Sequence, residues 1–221
     1  AQPMDTLAFT RAEIQGTMPI LKKNKYKVVA LTGFDGTEEA LYQICQTGKS
    51  PGILHLATHG FFFSDPLKDS LASERSVPFA LSNSAMLRSG IVFSGCNRMW
   101  TTGKPYPGLH DGVLTAYEAA QLDLANTELV TLSACETALG DLNVEGGVFG
   151  LQRAFIQAGA HYVIMSLWKV DDSTTKDFMI AFYQKWLEGQ KTIPEAFRET
   201  QLEMRKKHPN PYFWAPFILV E

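Results

Sequence analysis

Short apolar, β-branched runs recur along the chain at Tyr26–Thr32, Ile53–Thr58, Ile91–Ser94, Glu128–Ser133, Tyr162–Leu167 and Trp214–Val220. Runs of this length and composition predict strands. The segments between them carry helical spacing instead. Thr37 is placed to cap a helix with Glu38 and Glu39 in its first turn, where carboxylates meet unpaired backbone N–H groups. Val148, Leu151, Phe155 and Ala158 mark a second helix, Phe178, Phe182 and Trp186 a third, and Ile193, Phe197 and Met204 a fourth. Strands alternating with helices predict an α/β fold: a mostly parallel central sheet with helices on both faces. Ser64–Ser84 and Asn97–Gly112, rich in Ser, Asp, Pro and Gly, fall outside this rhythm. They read as long surface loops, the kind that supplies substrate walls, cleavage sites or partner contacts.

At 221 residues the chain is within the size of one domain, and residues 1–221 are read as one. Its 45% hydrophobic and 19% charged residues are ordinary for a globular protein, and no apolar run approaches the length of a membrane span. Twenty basic against twenty-three acidic residues leave a net charge of −3, which offers no broad footprint for nucleic acid or an anionic membrane. Lys22, Lys23, Lys25 and Lys27 read as a solvated face. Cys45, Cys96 and Cys135 are too few for a disulfide framework and form no metal-binding pair. That usage fits a reducing, cytoplasmic setting, and no cofactor or metal is expected.

In an open parallel sheet, sites form beyond the carboxyl ends of the strands. The run Ile53–Thr58 ends at His59-Gly60, and the run Leu129–Ala134 ends at Cys135-Glu136-Thr137. If those strands are neighbours, a thiol and an imidazole meet at one sheet edge. A free thiol is only a few per cent thiolate at pH 7, so Cys135 gains from a base such as His59. Thiolate attack on a carbonyl builds an oxyanion, for which the backbone N–H groups of Gly60 and Cys135 are the available donors.

Five segments, His55–Gly60, Leu132–Thr137, Gly147–Phe155, Ser166–Asp172 and His208–Phe217, in this order, resemble a CHAT domain. The similarity runs from about Tyr26 to the end of the chain. The family is grouped with caspases and separases among the clan CD cysteine peptidases and usually follows helical repeats such as TPRs. The resemblance implies a caspase-like three-layer fold, a Cys135–His59 dyad with the Gly60 and Cys135 amides as oxyanion hole, and a protein or peptide substrate. It also implies that the domain comes from a longer TPR-containing protein, in which a helical-repeat domain or an activating partner regulates it. The separase segment whose last acid grips a basic P1 residue resembles Leu167–Asp172 and nominates Asp172 for an S1 pocket, with departures at Lys169 and Asp171. Helix capping ahead of Ser173–Thr175 is the rival role for Asp172. Caspases place their histidine about 50 residues before the cysteine, whereas His59 precedes Cys135 by 76, and the caspase nucleophile signature is absent. Aspartate specificity is therefore not carried over.

Other reactive groups have plainer readings. Cys45 falls within the helix opened by Thr37 and reads as core, while Cys96, with His110 downstream, is the rival nucleophile. His55 shares a strand face with His59 and reads as a hydrogen-bonded core residue. His55-x-x-x-His59 lacks the glutamate of a zinc helix, and Gly48-Lys49-Ser50 lacks the first glycine of a phosphate loop. Trp168, Trp186 and Trp214 read as core packing. The expected function is cysteine endopeptidase, against a non-catalytic interaction module of the same fold.

Overall fold

The computed structural model describes residues 3–4, 10–46, 48–63, 78–133, 147–168 and 170–221. In chain order these form α1 (Thr10–Lys23), α2 (Glu38–Ile44), β1 (Ile53–Ala57), β2 (Gly60–Phe62), β3 (Ser89–Val92), α3 (Cys96–Thr102), β4 (Val113–Thr115), α4 (Ala116–Ala119) and β5 (Leu129–Ser133). They continue with α5 (Gly147–Gln157), β6 (Tyr162–Ser166), α6 (Asp172–Tyr183), α7 (Ile193–Lys207) and β7 (Phe217–Val220). The main sheet has the order β1-β5-β6-β7, parallel among the first three strands and closed by antiparallel β7. A smaller antiparallel sheet, β2-β3-β4, begins at Gly60.

Period-two alternation assigns each face of the main sheet its own layer. Leu54, Leu56, Val130, Leu132, Val163 and Met165 face one way and pack with Leu41 of α2, Ala116 and Ala119 of α4, and Leu151, Ala154 and Phe155 of α5. Leu129 and Ile164 face the other way, among Ile20 of α1, Phe178, Phe182 and Tyr183 of α6, and Phe197 and Met204 of α7. This is the expected three-layer arrangement, and burying each of the Val, Leu, Ile, Phe and Met side chains contributes about 1.5–3 kcal/mol. The small sheet has its own aromatic cluster, in which Phe61, Phe63 and Phe79 surround Trp100.

The predicted helices are present, with Thr37 accepting from the Ala40 N–H at 3.2 Å and Thr192 forming a capping box with Glu195. Other expectations are corrected. Tyr26–Thr32 is not a strand: Val29 is 67% exposed, and the segment belongs to neither sheet. A β-branched run reports readiness to pair, and pairing also needs a sheet edge within hydrogen-bond reach. Asn97–Gly112 is not wholly loop, because its first part belongs to α3. The strand expected at Ile91–Ser94 runs from Ser89 to Val92, and the last strand starts only at Phe217, after Pro216. Trp186 is buried, whereas Trp168 is half-buried with its indole N–H on the Tyr212 carbonyl, and Trp214 lies at the edge of its cluster. Of the loop Ser64–Ser84, residues 64–77 lie outside the described residues. The rest includes a 3-10 turn at Pro78–Leu81.

Candidate thiol site at the ends of β1 and β5

β1 and β5 are neighbours, so the condition set by the sequence is met. Their register pairs Ile53 with Leu129 and Ala57 with Ser133, a constant offset of 76 (133 minus 57). The pairing extends one residue further, where the Thr58 N–H donates to the Ser133 carbonyl at 3.3 Å. His59 then leaves the main sheet and enters the small one. Its carbonyl accepts from the Val92 N–H at 3.0 Å, the Thr58 hydroxyl donates to the Val92 carbonyl, and Gly60 pairs with Ile91. His59 is half-buried, and its backbone is held between two sheets. Cys135 lies outside the described residues, as do Glu136 and Thr137.

The other two thiols, Cys45 read as core and Cys96 as the rival nucleophile, are in unreactive settings. Cys45 is buried, and burial, helped by the Asp123 carboxylate, pushes its thiol up to about 11. Cys96 is equally buried in α3, and burial, with Asp111 nearby, likewise pushes it to about 11. At neutral pH both remain almost wholly protonated, and the thiol is a poor nucleophile.

Asp172 is the first residue of α6, and its side chain lies outside the described residues. The capping role considered for it belongs to Asp171, whose carboxylate accepts from the Thr174 N–H at 3.1 Å. Hydrogen bonds from the Ser173 hydroxyl and from Thr174 hold the Asp171 carboxyl below the usual carboxylate range. Replacing it, Asp171→Ala, is expected to cost about 1 kcal/mol. A thermal melt at pH 7 should show this loss, and the gap should close as acid protonates the wild-type cap. Equal melting points at pH 7 would deny the cap its role.

The reading of His55 as a hydrogen-bonded residue holds, while its partners and a second group of side chains escaped the sequence. On the α1 face of the sheet, His55 bonds through Nε2 to Glu13 at 2.8 Å and through Nδ1 to the Tyr183 hydroxyl at 3.1 Å. The signal was a polar stripe: His55, Thr131 and Ser133 stand at alternate positions of otherwise apolar strands, and such a stripe requires a buried polar partner. Near the start of α2, Glu38 is 1% exposed and accepts from the Gly112 N–H at 3.0 Å. Burial first, then the Asp111 and Glu118 carboxylates, push it up to about 8. Asp111 is raised by its own burial. Their meeting joins residues more than 70 positions apart, which no local pattern announces.

Among the described residues no helix is long and apolar enough to cross a membrane. The chain is 27% identical over 224 residues to human (Homo sapiens) tetratricopeptide repeat protein 28, a match covering 93% of this chain and 8% of the relative. The mouse (Mus musculus) tetratricopeptide repeat protein 28 is 37% identical over 117 residues, covering 52% of the chain and 5% of the relative. The chain thus spans less than a tenth of the curated relatives it matches. The family model described as CHAT domain matches residues 3–221. With that match, and with a caspase-like α/β architecture of mostly parallel sheet between helical layers, the chain belongs to the CHAT domain family.

Proposed function

We propose that this domain is a cysteine endopeptidase in which Cys135 is the nucleophile and His59 its base. The observation that carries the reading is the register of β1 and β5: each residue of β1 faces the one 76 positions later, and Cys135 follows His59 by the same 76. Family membership supports it, as does the burial of the other two cysteines. The Cys135 thiol gives its proton to His59, and the thiolate attacks the scissile carbonyl carbon. The Gly60 and Cys135 N–H groups receive the oxyanion, worth about 10²–10³ in rate per donor. The C–N bond then breaks, and His59 returns the proton to the leaving amine. Water activated by His59 hydrolyses the thioester.

Asp172 is assigned to the S1 pocket, where its carboxylate pairs with an Arg or Lys side chain of the substrate. Asp171 already serving as cap supports this assignment. Residues 1–221 are read as one domain of a longer, cytoplasmic, TPR-containing protein, whose repeats or an activating partner control it. The small share of the TPR relatives that it covers supports that reading.

The test is a mass-spectrometric digest of a diverse peptide library, run beside labelling by an electrophilic peptide. Cys135→Ala and His59→Ala should each lower cleavage by about 10³-fold or more. Cleavage that survives Cys135→Ala sinks the proposal. Absence of both cleavage and Cys135 labelling would leave the interaction-module reading. A basic residue before each cut supports Asp172, and an apolar one removes it.

A further inference from the structure

Glu13 is 4% exposed although it carries a carboxylate, and it stands on α1, which packs chiefly against α6 and touches β1. Its two oxygens go to different strands. Oε1 bonds His55 Nε2 of β1 at 2.8 Å, and Oε2 accepts from the Ser133 hydroxyl of β5 at 2.8 Å. The chain of bonds continues through His55 Nδ1 to the Tyr183 hydroxyl of α6 and on to Thr131 Oγ1 of β5 at 3.2 Å. Burial holds the Tyr183 phenol in its protonated form, so it remains a donor. With the Tyr183 hydroxyl donating to Nδ1, Nε2 carries the ring proton and Glu13 accepts from both strands.

These strands lead to His59 and to Cys135. In the sequence His55 precedes His59 by four positions, and Ser133 precedes Cys135 by two. Glu13 ties both approaches to one helix. The helix is seated against α6, where Ile20 joins the core and Gly16 is pressed against Ile180; Lys23 pairs with Glu188, and of the buried residues of α1 Glu13 alone carries a charge. Thr17 spends its hydroxyl on its own helix, on the Glu13 carbonyl.

We propose that Glu13 is a positioning residue of the thiol site, setting the relative placement of the β1 and β5 ends through His55 and Ser133, so that the seating of α1 controls the reactivity of Cys135. The inference rests on the thiol-site reading in taking Cys135 as the reactive group. A displacement of α1 withdraws one carboxylate from both strands at once and leaves two part-buried polar groups to find new partners, which moves the strand ends.

The experiment is site-resolved alkylation of the 221-residue chain by iodoacetamide as a function of pH, read by mass spectrometry. Protection of Cys45 and Cys96, both buried, reports that each variant is folded. In Glu13→Gln the midpoint of the Cys135 profile should move up by about one unit, a roughly five- to tenfold slower reaction at pH 7. Thr17→Ala, on the same helix, should leave the profile in place. A Glu13→Gln profile that superimposes on wild type while the protein is folded overturns the proposal. Should Glu13→Gln expose Cys45 and Cys96, Ser133→Ala takes its place under the same criterion. His59→Ala reports separately on the base: an unmoved profile there removes His59 from the mechanism, whatever Glu13 does.

Discussion

Gly90→Ala is expected to destabilise the protein by about 3 kcal/mol or more, at the upper end for overpacking. A methyl group at this position would stand 2.3 Å from the Leu114 carbonyl oxygen and 2.8 Å from the Phe61 ring. Neither can yield cheaply. Leu114 is in β4, directly in the ladder with β3, and the Phe61 ring is wedged among Phe63, Phe79 and Trp100. Glycine is therefore what allows β3 to lie flush between β2 and β4. The consequence reaches the site, because β3 supplies the Val92 N–H and carbonyl that hold His59 and Thr58. A melting point lowered by roughly 6–12 °C is the expected readout for a chain of this size. A shift of under about 2 °C would mean that the small sheet relaxes without cost.

Glu38→Gln is expected to change how stability depends on pH. The folded protein holds the Glu38 carboxyl at about 8, against 4.5 for the free group, because it is buried beside Asp111 and Glu118. Below the ordinary value both folded and unfolded states carry the proton, and the contribution is fully present. Between about 4.5 and 8 the unfolded chain ionises first, so stability falls with rising pH by up to about 1.4 kcal/mol per unit. Above about 8 the loss is complete. The half-exposed ring of His110, 3.5 Å from Glu38, is too well hydrated to offset it. Glutamine is neutral throughout, and its amide oxygen can accept from Gly112 as the carboxyl does. Wild type and variant should melt together near pH 5 and separate by on the order of 3 kcal/mol at pH 9, with the variant the more stable. Parallel curves from pH 5 to 9 would show that Glu38 keeps its charge in the folded state.

Several elements were legible in the sequence because their signals are local. The helix capped by Thr37 follows from a hydroxyl placed ahead of carboxylates, and the helix that begins at Ile193 from its apolar spacing. β1, β5 and β6 follow from short β-branched runs, and the three-layer order from their alternation with helices. The approach of His59 was legible too, since strand ends carry sites in such a sheet. Tyr26–Thr32 shows the limit of this reasoning, because its composition is that of a strand yet among the described residues it joins neither sheet.

The sequence by itself determined the fold class, the family and the reactive residue types, since periodicity, caps and motifs are written in neighbouring positions. Only the tertiary structure decided which strands adjoin, that the β1–β5 offset matches the spacing of His59 and Cys135, and that Asp171 rather than Asp172 caps α6. It alone brought Glu13 to His55 and Ser133, and Glu38 to Gly112. Each of these pairings spans tens of residues and depends on where whole elements pack, and packing is settled by the sum of buried surfaces rather than by any local pattern.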